Sequence, residues 1–188
     1  MGEADRGAGP ELSASEVSFG AFARRVVAVH TTTYLVAGLL ASNLMDYASW
    51  WATEELALYR PLDAPQIALG PAFQVVRGLV LAAVLFPFRH VFLRGWRGAL
   101  ELWGLLAGIG ILSTSAAAPG SLEGVIYTRL PLAFHLFGAP EVYGQTLAFS
   151  LGLVGWHRRP SRAWGAIFWT GTVLAVGFGV LGVLFGRT

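Results

Sequence analysis

The stretch AWGAIFWTGTVLAVGFGVLGVLF, residues 163–185, decides the fold class: its 23 residues contain no charged side chain and no proline. A helix rises about 1.5 Å per residue, so this run crosses the ~30 Å hydrocarbon core of a bilayer, which needs about 20 residues. An element that is apolar on every face wants lipid around it, or a larger core than 188 residues supply.

Three further stretches, from about Val26 to Met45, Gln66 to Phe88 and Ala99 to Ala118, meet the same length criterion. A fifth, Pro131 to Trp156, is too long for one upright span and is interrupted by Gly138-Ala139-Pro140. Proline removes a backbone donor and disfavours helix in the residue before it, yet it suits a first helical turn. The membrane helix is therefore expected to start near Pro140, with Leu130 to Phe137 as an interfacial or re-entrant segment. The expectation is an all-α polytopic bundle with about five transmembrane helices: 26–45, 66–88, 99–118, 140–156 and 163–185. Residues 1–20, with four acids against Arg6, read as a mobile cytoplasmic tail, and 21–188 as a single bundle domain.

Arginine placement tests the count, because positive charge concentrates in cytoplasmic loops. Arg6, Arg24, Arg25, Arg89, Arg94, Arg97, Arg158, Arg159 and Arg162 fall on one side of the proposed bilayer; Arg60, Arg129 and Arg187 fall on the other. That asymmetry predicts a cytoplasmic N-terminus, an outside C-terminus and a bacterial inner-membrane location. Tyr47, Trp50, Trp51 and Tyr59 on one side, and Trp96, Trp103, Trp156 and Trp164 on the other, read as aromatic belts.

Composition agrees. Apolar residues make up 55% of the chain and charged ones 13%, about half the usual soluble share, and the mean hydropathy is +0.59. Every basic residue is arginine and there is no cysteine. The absent thiols exclude disulfides, iron–sulfur clusters and thiolate metal sites. The dispersed arginines do not form the basic, aromatic-laced face of a nucleic-acid binder, so no nucleic-acid partner is expected.

Few residues carry chemistry. Arg77 falls near mid-depth of the second span, where a cation needs a partner, and Gln74 shares its helix face. Glu141, in the first turn after Pro140, is the expected counter-charge, with Gln145 one turn on. Such a pair reads either as a buried structural link or as a binding or proton-transfer site. Glu123, Tyr127, Arg129 and His135 gather before the helix break, a place where membrane proteins build ligand sites; packing with interfacial polar groups is the blander reading. The acids Asp46, Glu54, Glu55 and Asp63 could hold a hard cation, but a solvated acidic surface explains them as well, and no metal site is expected. Ser49 to Tyr59 reads as an interfacial helix, and Glu101 as a partner for a nearby arginine. Haem or pigment ligation by His30, His90 or His157 is a lesser alternative to the expectation of no cofactor.

Small residues at four-residue spacing, Gly104 and Gly108, Gly144, Ala148 and Gly152, and Gly171, Ala175 and Gly179, permit close helix approach. They suit contacts within the bundle, or a homo-oligomer or larger complex. There is no phosphate-binding loop, HExxH or GxSxG motif. The leading functional expectation is a non-enzymatic accessory or scaffold subunit of a membrane complex. A transporter for a small solute or ion using Arg77 and Glu141, and an intramembrane enzyme with an outer-face site at Glu123, Arg129, His135 and Glu141, are the alternatives.

Overall fold

The computed structural model describes residues 16–57, 59–112 and 117–185. Most of the expected N-terminal tail, residues 113–116 of the third stretch, Leu58 and Arg187 lie outside the described residues. Everything described is helix, turn or coil, with no strand.

The first helix, α1 (Phe19–Leu44), begins seven residues before the expected boundary at Val26, because Ser18 caps it by accepting from the Ala21 amide. It ends at Met45, and Asp46 follows in the left-handed conformation (φ 46°, ψ 56°). Asp tolerates that region better than most residues. Its carboxylate caps α2 (Tyr47–Trp51) through the Ser49 amide, so the chain folds sharply at the end of α1. The expected single helix from Ser49 to Tyr59 is instead α2 plus a 3-10 turn at Glu54–Leu56.

The second rod starts with α3 (Pro65–Ala68) and continues as α4 (Gly70–Leu85), each with proline in its first turn. Pro87 falls within a 3-10 turn, Phe86–Phe88, after which α5 (Arg89–Phe92) prolongs the rod. Next comes α6 (Trp96–Leu112); Ala117 and Ala118, expected within the third span, are not helical. Two short helices, α7 (Leu122–Tyr127) and α8 (Leu132–Phe137), precede α9 (Ala139–Arg158), whose first turn holds Pro140 as the sequence requires. The last helix is α10 (Arg162–Phe185).

Five long rods thus pack side by side, with α1 as the hub against α4, α9 and α10, while α6 rests on α9 and α10 on α4. The end holding the start of α1, the 93–95 turn and the 159–161 turn is the lower end; α2, α7 and α8 cap the upper end. Buried side chains concentrate below, where Phe22, Val26, Val29, Ala82, Leu102, Phe149, Leu153 and Val154 form one cluster. Above it the rods part, and Val36, Leu39, Leu40 and Leu44 of α1 are exposed.

Small residues set the close contacts. A Cβ on Gly78 would fall 2.9 Å from the Val27 Cα, and one on Gly171 2.4 Å from the Thr32 hydroxyl, so α4 and α10 approach α1 at backbone distance. Gly179 likewise abuts Ala72, whereas Gly104, Gly108 and Gly144 have nothing within 4 Å. The small-residue face of α10 is spent inside the bundle.

Three helical segments, Phe19–Leu44, Gly70–Phe92 and Arg162–Phe185, are long and apolar enough to cross a membrane. Their outward faces agree: Phe73, Val76, Val80, Val84, Phe178, Leu181 and Leu184 are all exposed, a surface that water would penalise. Membrane association is the reading these helices support.

Candidate functional site at His30 and Glu141

Apolar helices leave few places for polar side chains, and most of those on the facing sides of α1, α4 and α9 meet each other. His30 is the hub, only 4% exposed. Its Nε2 lies 3.1 Å from Oε1 of Gln74 on α4, and its Nδ1 lies 3.5 Å from Nε2 of Gln145 on α9. The Gln74 amide nitrogen donates to the Gly70 carbonyl at 3.0 Å, which points Oε1 at the imidazole. His30 therefore donates from Nε2 and accepts at Nδ1, as a neutral ring. Gln145 also donates to Thr33 Oγ1 at 3.2 Å, and Thr33 passes its own proton to the Val29 carbonyl at 2.9 Å. The chain of bonds runs in one direction through three helices. His30 and Gln74, the buried members, each have their polar side-chain atoms engaged, which is the condition for burying polar groups away from water.

One turn above Gln145 on α9, Glu141 accepts a hydrogen bond from the Tyr47 hydroxyl. The left-handed turn at Asp46 brings Tyr47 within reach of α9. Burial first, and then the bond to the carboxylate, hold the Tyr47 phenol above its usual range. The expected ion pair between Arg77 and Glu141 is not formed, whereas Glu101 pairs with Arg94 and, at 3.6 Å, with Arg97. Arg77 is exposed on α4.

Two hollows adjoin these groups. A lateral cleft of about 630 Å³ opens between α1, α9 and α10, apolar except for Glu141, Gln145, Thr32 and Thr33. A second hollow of about 300 Å³ lies under α2 and α8 at the upper end, bounded by Tyr47, Trp51, Phe134, Phe137 and Tyr143 among others. Tyr47 lines the second and Glu141 the first, so their hydrogen bond belongs to the partition between the two hollows.

The remaining polar residues singled out from the sequence do not converge. His135 is buried at 3% exposure and works as a staple: the Gly120 amide donates to Nδ1 at 3.1 Å, and Nε2 reaches Thr128 Oγ1 at 3.4 Å. Glu123, Tyr127 and Arg129 are exposed, with no hydrogen bond or ion pair to His135 or Glu141. Of the other histidines, His157 Nδ1 accepts from Arg25 at 3.3 Å and His90 is exposed at the lower end. No group of three or more His, Asp or Glu able to hold a metal ion occurs among the described residues.

Sequence reasoning missed the central place of His30 and the role of Tyr47. His30, Thr33 and Tyr34 do share one helical stripe, three and four residues apart, which is the one signal available beforehand. Comparison with protein-family models, with curated proteins and with solved structures returned no match.

Proposed function

We propose that this chain is a five-span integral protein of a bacterial inner membrane, N-terminus inside, acting as a non-enzymatic accessory or scaffold subunit of a larger membrane complex. Supporting five spans, α9 is 20 residues long and α6 is described over 17, and both lie in the same bundle as the three strongly apolar rods. The nine-to-three arginine asymmetry supports the orientation.

The observation that carries the functional reading is Arg77. It stands within the apolar rod Gly70–Phe92, exposed among Phe73, Val76, Val80 and Val84, without an ion-pair partner among the described residues. A cation at such depth costs at least roughly 2.5–3.5 kcal/mol on insertion scales unless paired. A neighbouring subunit offering a carboxylate or free carbonyls at that height would supply the missing partner, and α4 would be the docked face.

The test is the size and composition of the complex extracted in mild detergent from native membranes. Wild type and Arg77→Lys are expected to run as one defined assembly with a stoichiometric partner. Arg77→Gln is expected to run as a folded protomer without it. Unchanged assembly in Arg77→Gln, or a monomeric wild type, sinks the proposal.

A second reading, transport of a small charged solute, draws on Arg77 within the rod Gly70–Phe92 and on the lateral cleft of about 630 Å³ that Glu141 and Gln145 line. It predicts flux in liposomes that both Arg77→Gln and Glu141→Gln abolish.

A further inference from the structure

The upper hollow has a chemistry of its own. It measures about 300 Å³, at the small end of ligand sites. Tyr47 and Trp51 from α2, Tyr59 beyond the 3-10 turn, Phe134 and Phe137 from α8 and Tyr143 from α9 all border it. An aromatic belt turns its rings outward to headgroups, whereas these six come from separate segments and converge on one space. Trp51 stacks on Tyr47 at 5.4 Å between centroids and meets Tyr59 nearly edge-on at 6.2 Å. The Trp51 indole donates to the Arg60 carbonyl at 3.0 Å, tying the Tyr59 segment to α2.

The charges nearest the hollow are carboxylates, although its described lining carries none itself. Among the described residues its lining contains no arginine, and the histidine there, His135, has both ring nitrogens engaged, with Nδ1 accepting from the Gly120 amide. Behind the Tyr47 ring stands the Glu141 carboxylate, and a phenol that donates to a carboxylate has a more electron-rich face. The adjoining segment 46–63 carries four carboxylates, Asp46, Glu54, Glu55 and Asp63, to one arginine, Arg60.

We propose that this hollow binds the head of a methylated ammonium compound, a quaternary amine of choline size. Aromatic faces attract such a cation through the ring quadrupole, and its methyl shell is weakly hydrated, so a largely apolar cavity does not penalise it. A metal ion would need a cage of oxygens that the lining does not offer. An anion would meet π-faces and no basic side chain among the described lining residues other than His135, whose ring nitrogens are engaged. The inference stands apart from docking through Arg77: it concerns the other end of a different pair of helices.

The probes are tetramethylammonium and choline chloride, titrated calorimetrically into the full chain in nanodiscs of phosphatidylethanolamine and phosphatidylglycerol. Ammonium chloride at equal ionic strength is the control. Saturable binding of both methylated cations is expected, with none for ammonium. Trp51→Leu should weaken it roughly tenfold, and Tyr47→Phe, which keeps the ring but loses the Glu141 bond, by about threefold. Tyr59→Leu, at a residue 46% exposed and outside the long helices, should also weaken it if Trp51→Leu does not fold. Repeating the titration in phosphatidylcholine nanodiscs separates the sources. Competition there marks a lipid headgroup as the natural ligand, and undiminished binding marks a free solute. Equal binding of ammonium, no binding at all, or full affinity in folded Trp51→Leu and Tyr59→Leu overturns the proposal.

Discussion

Replacing His30 by leucine removes the hub of the three-helix hydrogen-bond chain while nearly conserving volume. Gln145 keeps Thr33 as a partner at 3.2 Å and loses only its longer, weaker bond to His30 at 3.5 Å. Gln74 fares worse. Its nitrogen still donates to Gly70, but Oε1 loses the imidazole and remains in a site only 5% exposed. One interhelical bond within a membrane averages about 0.6 and reaches about 1.7 kcal/mol, and an orphaned acceptor adds its desolvation, so His30→Leu should cost about 1–2 kcal/mol. Gln74→Leu alone should cost a similar amount, because it strands the His30 Nε2 proton. The double variant removes both partners and should be less destabilised than the two single costs added together. Equilibrium unfolding in mixed micelles, followed by tryptophan fluorescence, measures all three. Strict additivity, or a His30→Leu protein as stable as wild type, would refute the buried chain of bonds.

Gly171→Ala should destabilise by about 1–3 kcal/mol, since its Cβ would fall 2.4 Å from a Thr32 hydroxyl already bonded to the Phe168 carbonyl at 2.7 Å. Gly144→Ala, with nothing within 4 Å, should cost little in the same equilibrium unfolding assay, and equal losses would contradict the packing. The raised phenol of Tyr47 keeps its proton in the folded chain where an unfolded tyrosine, near 10, has lost it. Its stabilisation is complete below that pH and fades as pH climbs toward the folded value. In an alkaline titration read as tyrosinate absorbance, Tyr47→Phe should delete signal from the late phase; loss from the early phase would show a free phenol. Topology can be read in a chain without cysteine by single substitutions at exposed positions, Glu123→Cys and Ser161→Cys. An impermeant maleimide added to intact cells should label the first and spare the second, and the reverse would invert the orientation.

Much of the architecture was legible beforehand. Runs such as 163–185 are apolar over a length that suffices for a helix to cross a membrane, and Pro140 marks the start of α9 because proline fits a first turn and little else in a helix. Asp46, by contrast, gives no warning in the sequence that it will take a left-handed turn and fold α2 back from the end of α1.

Glu141 shows where one-dimensional reading stops. Its charge and depth were readable, and opposite charges in an apolar medium attract, so Arg77 was the natural partner to expect. Which groups meet depends instead on how rods rotate and tilt, and those are set by close contacts such as Gly78 on Val27 and Gly171 on Thr32. That rotation aims Gln74 at His30 and leaves Arg77 exposed on the same helix. The sequence by itself determined helix class, the long apolar runs and the scarcity of polar groups, because length and hydropathy are local. The partners Tyr47 with Glu141, and His30 with Gln74 and Gln145, were decided by packing, because they join residues 44 to 115 positions apart.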